Sequence, residues 1–200
     1  MEKKLLLGDE AIALGAIHAG IRGVYAYPGT PSTEITEYIQ RHPLARARGL
    51  HSTWCTNEKT AVEAALGASY AGARVIACMK HVGLNVAADA FVNSAMTGAN
   101  GGLVVVAADD PSMHSSQNEQ DSRLYAIAAK VPMLEPSDSA EALAFTKIAY
   151  EISEKYDTPV FMKMCTRVAH SQSLVETSER VEPALKEYKK DIAKYVMTVS

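Results

Sequence analysis

Short runs of apolar residues alternate along the chain with longer segments whose apolar positions recur at helical spacing. The short runs predict β-strands at residues 24–27, 50–55, 74–79, 103–107, 133–135 and 158–163. The longer segments predict helices at residues 9–19, 32–41, 57–71, 84–97, 121–129 and 139–155. Two strands, RVIACM and LVVVAA, are apolar throughout, which is typical of strands covered on both faces. The pattern therefore predicts an α/β fold of three layers, a mainly parallel sheet with helices on both faces.

Three of the predicted helices begin at side chains that can accept hydrogen bonds from the free amides of a first turn. Asp9 precedes the first helix, the run Thr56-Asn57-Glu58 opens the third, and the run Ser137-Asp138-Ser139, with Glu141, opens the last. We expect Asp9 and one side chain of each run to cap these helices.

The pattern changes after His170, where the chain becomes polar, contains Pro183 and has no convincing strand. We therefore expect one folded domain over residues 1–170. The remainder, 171–200, is expected to be a linker or an extension towards domains outside this chain.

The composition is that of a globular protein of one domain. Of 200 residues, 48% are hydrophobic and 22% are charged, and 20 Lys and Arg against 23 Asp and Glu leave a net charge of −3. Because nucleic-acid-binding surfaces cluster basic residues, this balance argues against a nucleic-acid partner. No apolar run reaches the ~18 residues of a membrane span.

The three cysteines, Cys55, Cys78 and Cys165, show no C-x-x-C spacing. They indicate a reducing, cytoplasmic setting rather than a zinc site or a disulfide framework.

Ligands of open parallel sheets bind at the carboxyl ends of the strands, so the residues after each strand carry the candidate chemistry. After the first strand, YPGTPSTE at 27–34 is a turn. It either caps the next helix or lets backbone at Gly29 approach a ligand. After the second strand, Glu58 lies in a first helical turn. Its carboxylate either interacts with the helix dipole or shares a proton with a ligand nitrogen in a partly desolvated crevice.

A lysine–histidine pair follows the third strand, and a long polar loop follows the fourth. Lys80 and His81 open the segment KHVGLN, which also contains Gly83 and Asn85. A pair of this kind beside a glycine is a better ligand-site candidate than a lone histidine. The loop at 113–120 is rich in hydroxyl and amide groups, and we expect it on the substrate side of the site.

Several familiar motifs are absent. The sequence contains no G-x-G-x-x-G after a strand, no Walker phosphate loop, no H-E-x-x-H and no G-x-S-x-G, which argues against the corresponding nucleotide, zinc-protease and hydrolase chemistries. The adjacent pair Asp109 and Asp110, followed by proline, is interpreted as a solvated turn. No metal ligand is therefore predicted in this chain.

Four segments carry a family resemblance when they are taken in order. They are AYPGTPSTEI at 26–35, NEKTAVEAALGASYAG at 57–72, KHVGLN at 80–85 and DDPSMHSSQNEQDSR at 109–123. Together they resemble the N-terminal domain of the indolepyruvate ferredoxin oxidoreductase α subunits, in register from about residue 8 to residue 170. The resemblance implies a thiamine-diphosphate-binding fold, with this chain as the pyrimidine-binding domain of a 2-oxoacid:ferredoxin oxidoreductase.

The resemblance also implies roles for single residues. Glu58 maps to the catalytic, cofactor-binding glutamate, which hydrogen-bonds the aminopyrimidine ring and so promotes loss of the thiazolium C2 proton. Thr30 matches the hydroxyl that touches the substrate carboxylate, and Lys80 and His81 fall on the strand-end motif that faces the substrate. The other cofactor contacts would be made by Gly29, Gly83 and Asn85. Pyruvate-specific relatives carry an arginine where this chain has Asp109, which favours arylpyruvates as substrates.

The remaining machinery is expected outside the chain. The family binds the diphosphate and Mg²⁺ through a domain with a Gly-Asp-Gly motif and its iron–sulfur clusters through a cysteine-rich domain, and nothing in this sequence matches either. We therefore expect a truncated chain or a naturally split subunit that is inactive alone. Its partners would be those two domains, a β (γ-like) subunit, ferredoxin and coenzyme A. The Ala- and Gly-rich helix at 57–72 is expected at a domain or two-fold interface, which predicts a homodimer of this domain.

Two other functions remain open from the sequence. A two-subunit 2-oxoacid decarboxylase of the sulfopyruvate type would share the fold and Glu58 but release an aldehyde. A non-catalytic α/β assembly module would use Glu58 only at a helix start. The 109–123 motif favours the oxidoreductase.

Overall fold

A computed structural model describes residues 2–196 of the chain. Its strands are β1 (Lys3–Leu7), β2 (Gly23–Ala26), β3 (His51–Trp54), β4 (Val75–Lys80), β5 (Leu103–Asp109), β6 (Met133–Leu134), β7 (Val160–Cys165) and β8 (Gln172–Glu176). Its helices are α1 (Gly8–His18), α2 (Thr33–Arg41), α3 (Pro43–Ala47), α4 (Glu58–Tyr70), α5 (His81–Thr97), α6 (Arg123–Ala129), α7 (Ser139–Tyr156), α8 (Thr166–Ala169) and α9 (Ile192–Tyr195). None of these helices is both long enough and apolar enough to span a bilayer.

A six-stranded sheet lies at the centre, with strand order β3-β2-β4-β5-β7-β6. Every neighbouring pair in it is parallel. From β2, the chain adds β3 on one side and β4 on the other. The strand order therefore reverses between β2 and β4, and a reversal of this kind opens a crevice at the carboxyl ends of the two strands.

Two hydrophobic cores cover the two faces of this sheet. Along β5, Val104 and Val106 pack with α1, α2 and α7, whereas Leu103 and Val105 pack with α4, α5 and α6. Because successive strand residues point to opposite faces, both sets must be apolar, which explains the unbroken LVVVAA run. The predicted three-layer α/β fold is confirmed.

A second, two-stranded sheet was not expected. β1 pairs antiparallel with β8, with Leu5 opposite Leu174, so the prediction that no strand follows His170 is wrong. The two strands come from opposite ends of the described chain. Each alternates exposed and covered positions over only five residues, and neither forms a sheet without a partner that lies more than 160 residues away in sequence.

Two of the three capping predictions are confirmed, and the third is wrong. Asn57 Oδ1 accepts a hydrogen bond from the Thr60 amide at 2.9 Å, and Asp138 Oδ1 accepts one from the Glu141 amide at 2.8 Å, so both cap as predicted. Asp9 does not cap α1. That helix begins one residue earlier, and the Glu10 carboxylate accepts the hydrogen bond from the Leu7 amide at 3.1 Å. Asp9 is instead fully buried inside the first turn.

Residues 177–196 run along the edge of the domain where the parallel strands begin. The Val181 amide donates to the His18 carbonyl at 2.8 Å, and the Lys186 amide donates to the Gly72 carbonyl at 3.2 Å. Farther along, Lys194 pairs with Asp157 at 2.6 Å. This segment, called the C-terminal strap below, therefore packs on the domain itself, at the edge opposite the crevice.

Candidate functional site

A cleft of about 610 Å³ opens at the carboxyl ends of β2 and β4, where the reversal of strand order places it. It is bounded by the turn after β2, the starts of α4 and α5, and the polar loop after β5. Its lining residues are Tyr27, Pro28, Gly29, Thr30, Glu58, Lys80, Val82, Val86, Ser115, Gln117 and Asn118.

Glu58 presents a carboxylate to this cleft from the first turn of α4. Only 8% of the residue is exposed, yet its carboxylate has no hydrogen-bond or ion-pair partner among residues 2–196. Gly83 on α5 makes room for it, because a Cβ at Gly83 would lie 2.4 Å from Glu58 Oε1. A carboxylate that opens to the cleft from an otherwise buried residue, and has no partner among residues 2–196, is available to a ligand that brings a nitrogen or a proton.

The turn after β2 is held by its own hydroxyl groups. The Gly29 amide donates to Thr33 Oγ1 at 2.9 Å, and Ser32 Oγ donates to the Gly29 carbonyl at 2.8 Å. These hydroxyls therefore brace the turn, and Ser32 does not cap α2 through its side chain. The Thr30 side chain lines the cleft, and the Thr30–Pro31 peptide is cis.

Lys80 ends β4 and brings a positive charge to the same cleft. Its stem packs against the turn, since a Cβ at Gly29 would lie 3.0 Å from Lys80 Cδ. Its ammonium group donates to the Ser115 carbonyl at 2.6 Å. Lys80 thus joins the turn after β2 to the polar loop after β5.

His81 and Asn85 lie beneath that loop and do not line the cleft. His81 is fully buried, and its Nε2 lies 3.0 Å from the Asn118 carbonyl and 3.1 Å from Asn118 Oδ1. Because a carbonyl only accepts, Nε2 carries the proton. Asn85 exchanges hydrogen bonds with the Gln120 side chain at 3.0 Å and accepts one from Tyr125. Both residues hold the loop in place.

Two buried aspartates anchor the ends of the polar loop, so the interpretation of Asp109 and Asp110 as a solvated turn is wrong. Asp109 accepts hydrogen bonds from the amide and hydroxyl of Ser122. Burial raises the pKa of Asp109, against the opposing effect of those bonds. Burial would also raise the pKa of Asp110, but hydrogen bonds from Ser116, the Ser115 amide and Thr166 outweigh it and hold that pKa at about 2. The anchors explain how a long exposed loop keeps one conformation.

The structure thus gathers Gly29, Thr30, Glu58 and Lys80 in one cleft, with Gly83 directly behind Glu58. Sequence reasoning placed the polar loop on the substrate side but assigned no role to its cleft-lining members, Ser115, Gln117 and Asn118. The sequence indicates these residues only through the length and polarity of the loop. Length and polarity do not predict which side chains of a loop face the cleft.

A parallel sheet with a cleft at its reversal point and a partner-free carboxylate at a helix start defines an α/β domain of the cofactor-binding class. The chain belongs to the pyruvate flavodoxin/ferredoxin oxidoreductase family of thiamine-diphosphate-binding domains, whose family model matches residues 14–197. The predicted family is confirmed.

Relatives agree with this assignment. Indolepyruvate oxidoreductase subunit IorA of Archaeoglobus fulgidus is 51% identical over 88% of this chain, which is 28% of the relative. IorA of Thermococcus kodakarensis is 47% identical over 98% of this chain and 31% of the relative. The chain therefore spans about a third of the length of these curated relatives.

One solved structure shows the same fold. It is a 2-oxoglutarate:ferredoxin oxidoreductase from Magnetococcus marinus, with a TM-score of 0.78 and 23% identity, covering 94% of this chain and 33% of that chain. At this identity the likeness concerns the fold alone.

Proposed function

We propose that this chain is the pyrimidine-binding domain of a thiamine-diphosphate-dependent oxidoreductase that acts on an arylpyruvate such as indolepyruvate and passes electrons to ferredoxin. The observation that carries the proposal is the partner-free Glu58 carboxylate in the cleft, with Gly83 leaving the space that it occupies. The family is described as thiamine-diphosphate-binding, and relatives 51% and 47% identical to this chain are named indolepyruvate oxidoreductase subunits.

The residues of the cleft fit one half of this cofactor. An aminopyrimidine ring needs a carboxylate to bond its ring nitrogen and an apolar surface beside it, which Glu58 and the side chains of Val82 and Val86 offer. A diphosphate with Mg²⁺ needs several oxygen ligands, and Glu58 is the only carboxylate among the described lining residues. We therefore assign the diphosphate, the metal ion and the iron–sulfur clusters to other domains.

Thiamine diphosphate would supply a deprotonated carbon as nucleophile for the keto group of a 2-oxo acid and an acceptor for the electron pair left by departing CO₂. Glu58 hydrogen-bonds the ring nitrogen and exchanges a proton with it, which is the role of a general acid–base group placed within reach of that nitrogen. Gly83 positions that carboxylate, and Gly29 allows the turn to pack against Lys80. Each of these roles concerns the geometry around the pyrimidine ring.

The turn after β2 and the end of β4 bind the substrate. The Thr30 hydroxyl bonds the substrate carboxylate, and the Lys80 ammonium attracts it by charge. His81 and Asn85 act through the polar loop, since their hydrogen bonds fix Asn118 and Gln120. The loop covers the cleft and limits access of water to the reacting atoms.

The whole reaction needs more than this domain. Oxidative decarboxylation of the 2-oxo acid would release CO₂, transfer the acyl group to coenzyme A and leave an electron pair, for which iron–sulfur clusters in other domains would supply the route to ferredoxin. The greater length of the relatives leaves room for the diphosphate-binding and iron–sulfur domains. The three free cysteines fit a reducing cytoplasm.

We place the contacts with partner domains, or with a second copy of this domain, on α5 and α6, where Met96, Leu124 and Ile127 are 74%, 65% and 69% exposed. Burial of large exposed apolar side chains stabilises an association. The small residues of α4, including the exposed Gly67, would allow close approach of another helix. We assign residues 1–170 to the cofactor domain and the region 171–200 to the connection towards partner domains, with β8 and the C-terminal strap holding the start of that connection against the domain surface.

The assembled complex provides the test. The chain is purified with a β subunit and with its diphosphate-binding and iron–sulfur partners, and arylpyruvate-dependent dye reduction is measured with coenzyme A. We expect dye reduction coupled to thioester formation. Aldehyde release without dye reduction would show a decarboxylase instead, and an inactive complex that binds no thiamine diphosphate would show an assembly module.

A further inference from the structure

Three potential metal ligands converge on the α1 side of the sheet, away from the cleft. Asp9 comes from the first turn of α1, Glu34 from the first turn of α2, and His170 directly follows α8. One ligand atom of each lies within 4.8 Å of the other two. His170 Nε2 is 3.6 Å from Glu34 Oε1.

Three of the four carboxylate oxygens in this cluster are buried and have no hydrogen-bond partner among residues 2–196. Asp9 is fully buried, and within residues 2–196 neither of its oxygens has a hydrogen bond, nor has Glu34 Oε2. Burying a carboxylate without a partner costs several kcal/mol. A bound cation or a proton on one of the carboxylates would remove that cost. The neighbouring Glu10 is already paired with Arg41 at 2.7 Å, and the described residues bring no lysine or arginine to Asp9 or Glu34.

We propose that Asp9, Glu34 and His170 bind a divalent cation of the zinc type. One imidazole nitrogen and two carboxylate oxygens are a donor set that Zn²⁺ accepts, at metal–ligand distances of about 2.0–2.2 Å. Ligand atoms within 4.8 Å of one another reach that geometry by small side-chain movements. The side chains of Glu34 and His170 are 34% and 36% exposed, which leaves an entry path and a coordination position for water.

The position of the site suggests what the ion does. Glu34 is the residue directly after the turn YPGTPST, whose Thr30 lines the cleft. His170 belongs to the segment after β7, and the Gly8 amide beside Asp9 donates to the Ser171 carbonyl at 3.2 Å. A bound cation therefore links the start of α1, the start of α2 and the segment after α8. It stabilises the turn after β2 from the side opposite the cleft. This inference is independent of the proposed substrate.

Metal titration of the full chain tests the proposal. The chain is stripped with chelator, and Zn²⁺ binding is followed by calorimetry, with Co²⁺ absorption bands reporting the coordination geometry. We expect one site per chain, a Zn²⁺-dependent rise in Tm, and binding weakened by more than about 100-fold in Glu34→Gln and His170→Ala, since even outer-shell partners account for 10–100-fold. Both residues are part-exposed, so neither change removes core packing.

Matched variants separate this site from surface binding. Glu37 lies exposed on α2, the helix that carries Glu34, and His114 is an exposed histidine of the polar loop. The variants Glu37→Gln and His114→Ala are both expected to bind Zn²⁺ like the parent chain. The proposal is overturned if no saturable site is found, or if Glu34→Gln and His170→Ala retain full affinity. A parent chain whose Tm does not respond to Zn²⁺, while Asp9→Asn is more stable than the parent, would show that a proton fills the site instead.

Discussion

Substitution of Gly83 by alanine tests the placement of the Glu58 carboxylate without touching that residue. The added Cβ would lie 2.4 Å from Oε1 and 2.5 Å from Cγ of Glu58. Ordinary contacts between heavy atoms begin near about 3.5 Å, so the carboxylate must move by about 1 Å. The clash extends from Oε1 back to Cγ, so the whole Glu58 side chain has to take another rotamer.

The expected effects on activity and on stability have opposite signs. A displacement of about 1 Å in a catalytic group costs on the order of 100-fold in rate, which corresponds to about 2.7 kcal/mol of barrier. Alanine in place of a helical glycine stabilises a helix by up to ~1 kcal/mol. Gly83→Ala is therefore expected to keep or raise Tm while it slows cofactor activation.

The assay is exchange of the thiamine C2 proton for deuterium, measured by quenched-flow NMR on the complex with its diphosphate-binding partner. Lys155→Ala is the control, because Lys155 lies exposed near the end of α7 and outside both the cleft and the surface proposed for partners. It should leave exchange unchanged. Exchange at the parent rate in Gly83→Ala would refute the placement of Glu58 against the cofactor.

Three further changes probe the substrate contact, the strap and the buried histidine. Thr30→Val keeps the shape but removes the hydroxyl, so KM for the 2-oxo acid should rise about 10-fold or more with C2 exchange unchanged; an unchanged KM would exclude the contact. Gly72 has φ +92°, and a Cβ there would lie 1.8 Å from the Lys186 carbonyl oxygen, so Gly72→Ala should cost roughly 1–3 kcal/mol and expose 177–196 to protease; a protected strap would contradict this. Burial, helped by Lys147, lowers the pKa of His18 from 6.5 to about 4. The folded state therefore favours the neutral ring, and the stability it contributes is present above pH 6.5 and lost as pH falls towards 4. After allowance for solvent screening the loss is about 2 kcal/mol, and His18→Gln should flatten that part of the stability–pH curve; an unchanged slope would disprove it.

The parallel sheet was predictable because its signals are local. Each strand of the central sheet except β6 is a run of at least four residues followed by a turn or a helix start, and burial on both faces makes the inner strands apolar throughout. The rule that ligands bind at strand carboxyl ends then located the cleft, and with it Thr30, Glu58 and Lys80. The family resemblance named the same three residues.

The remaining features depend on contacts between distant parts of the chain. β1 and β8 pair across nearly the whole sequence, which a local pattern does not reveal. Asp9 has the residue type of a cap, but α1 begins one residue earlier and carries it inwards towards Glu34 and His170. His81 stands beside Lys80 in sequence, yet the start of α5 turns it under the loop instead of into the cleft.

The role of Glu58 in cofactor activation is tested most sharply by the rate of thiamine C2 proton exchange in Glu58→Gln, measured in the assembled complex. Glutamine keeps the size of the side chain and removes its ability to exchange a proton, and Glu63→Gln, at an exposed position of the same helix, serves as the control. We expect exchange to be slowed by about 100-fold or more in Glu58→Gln, with assembly intact and the control at the parent rate. Exchange at the parent rate in Glu58→Gln would show that this carboxylate does not activate the cofactor.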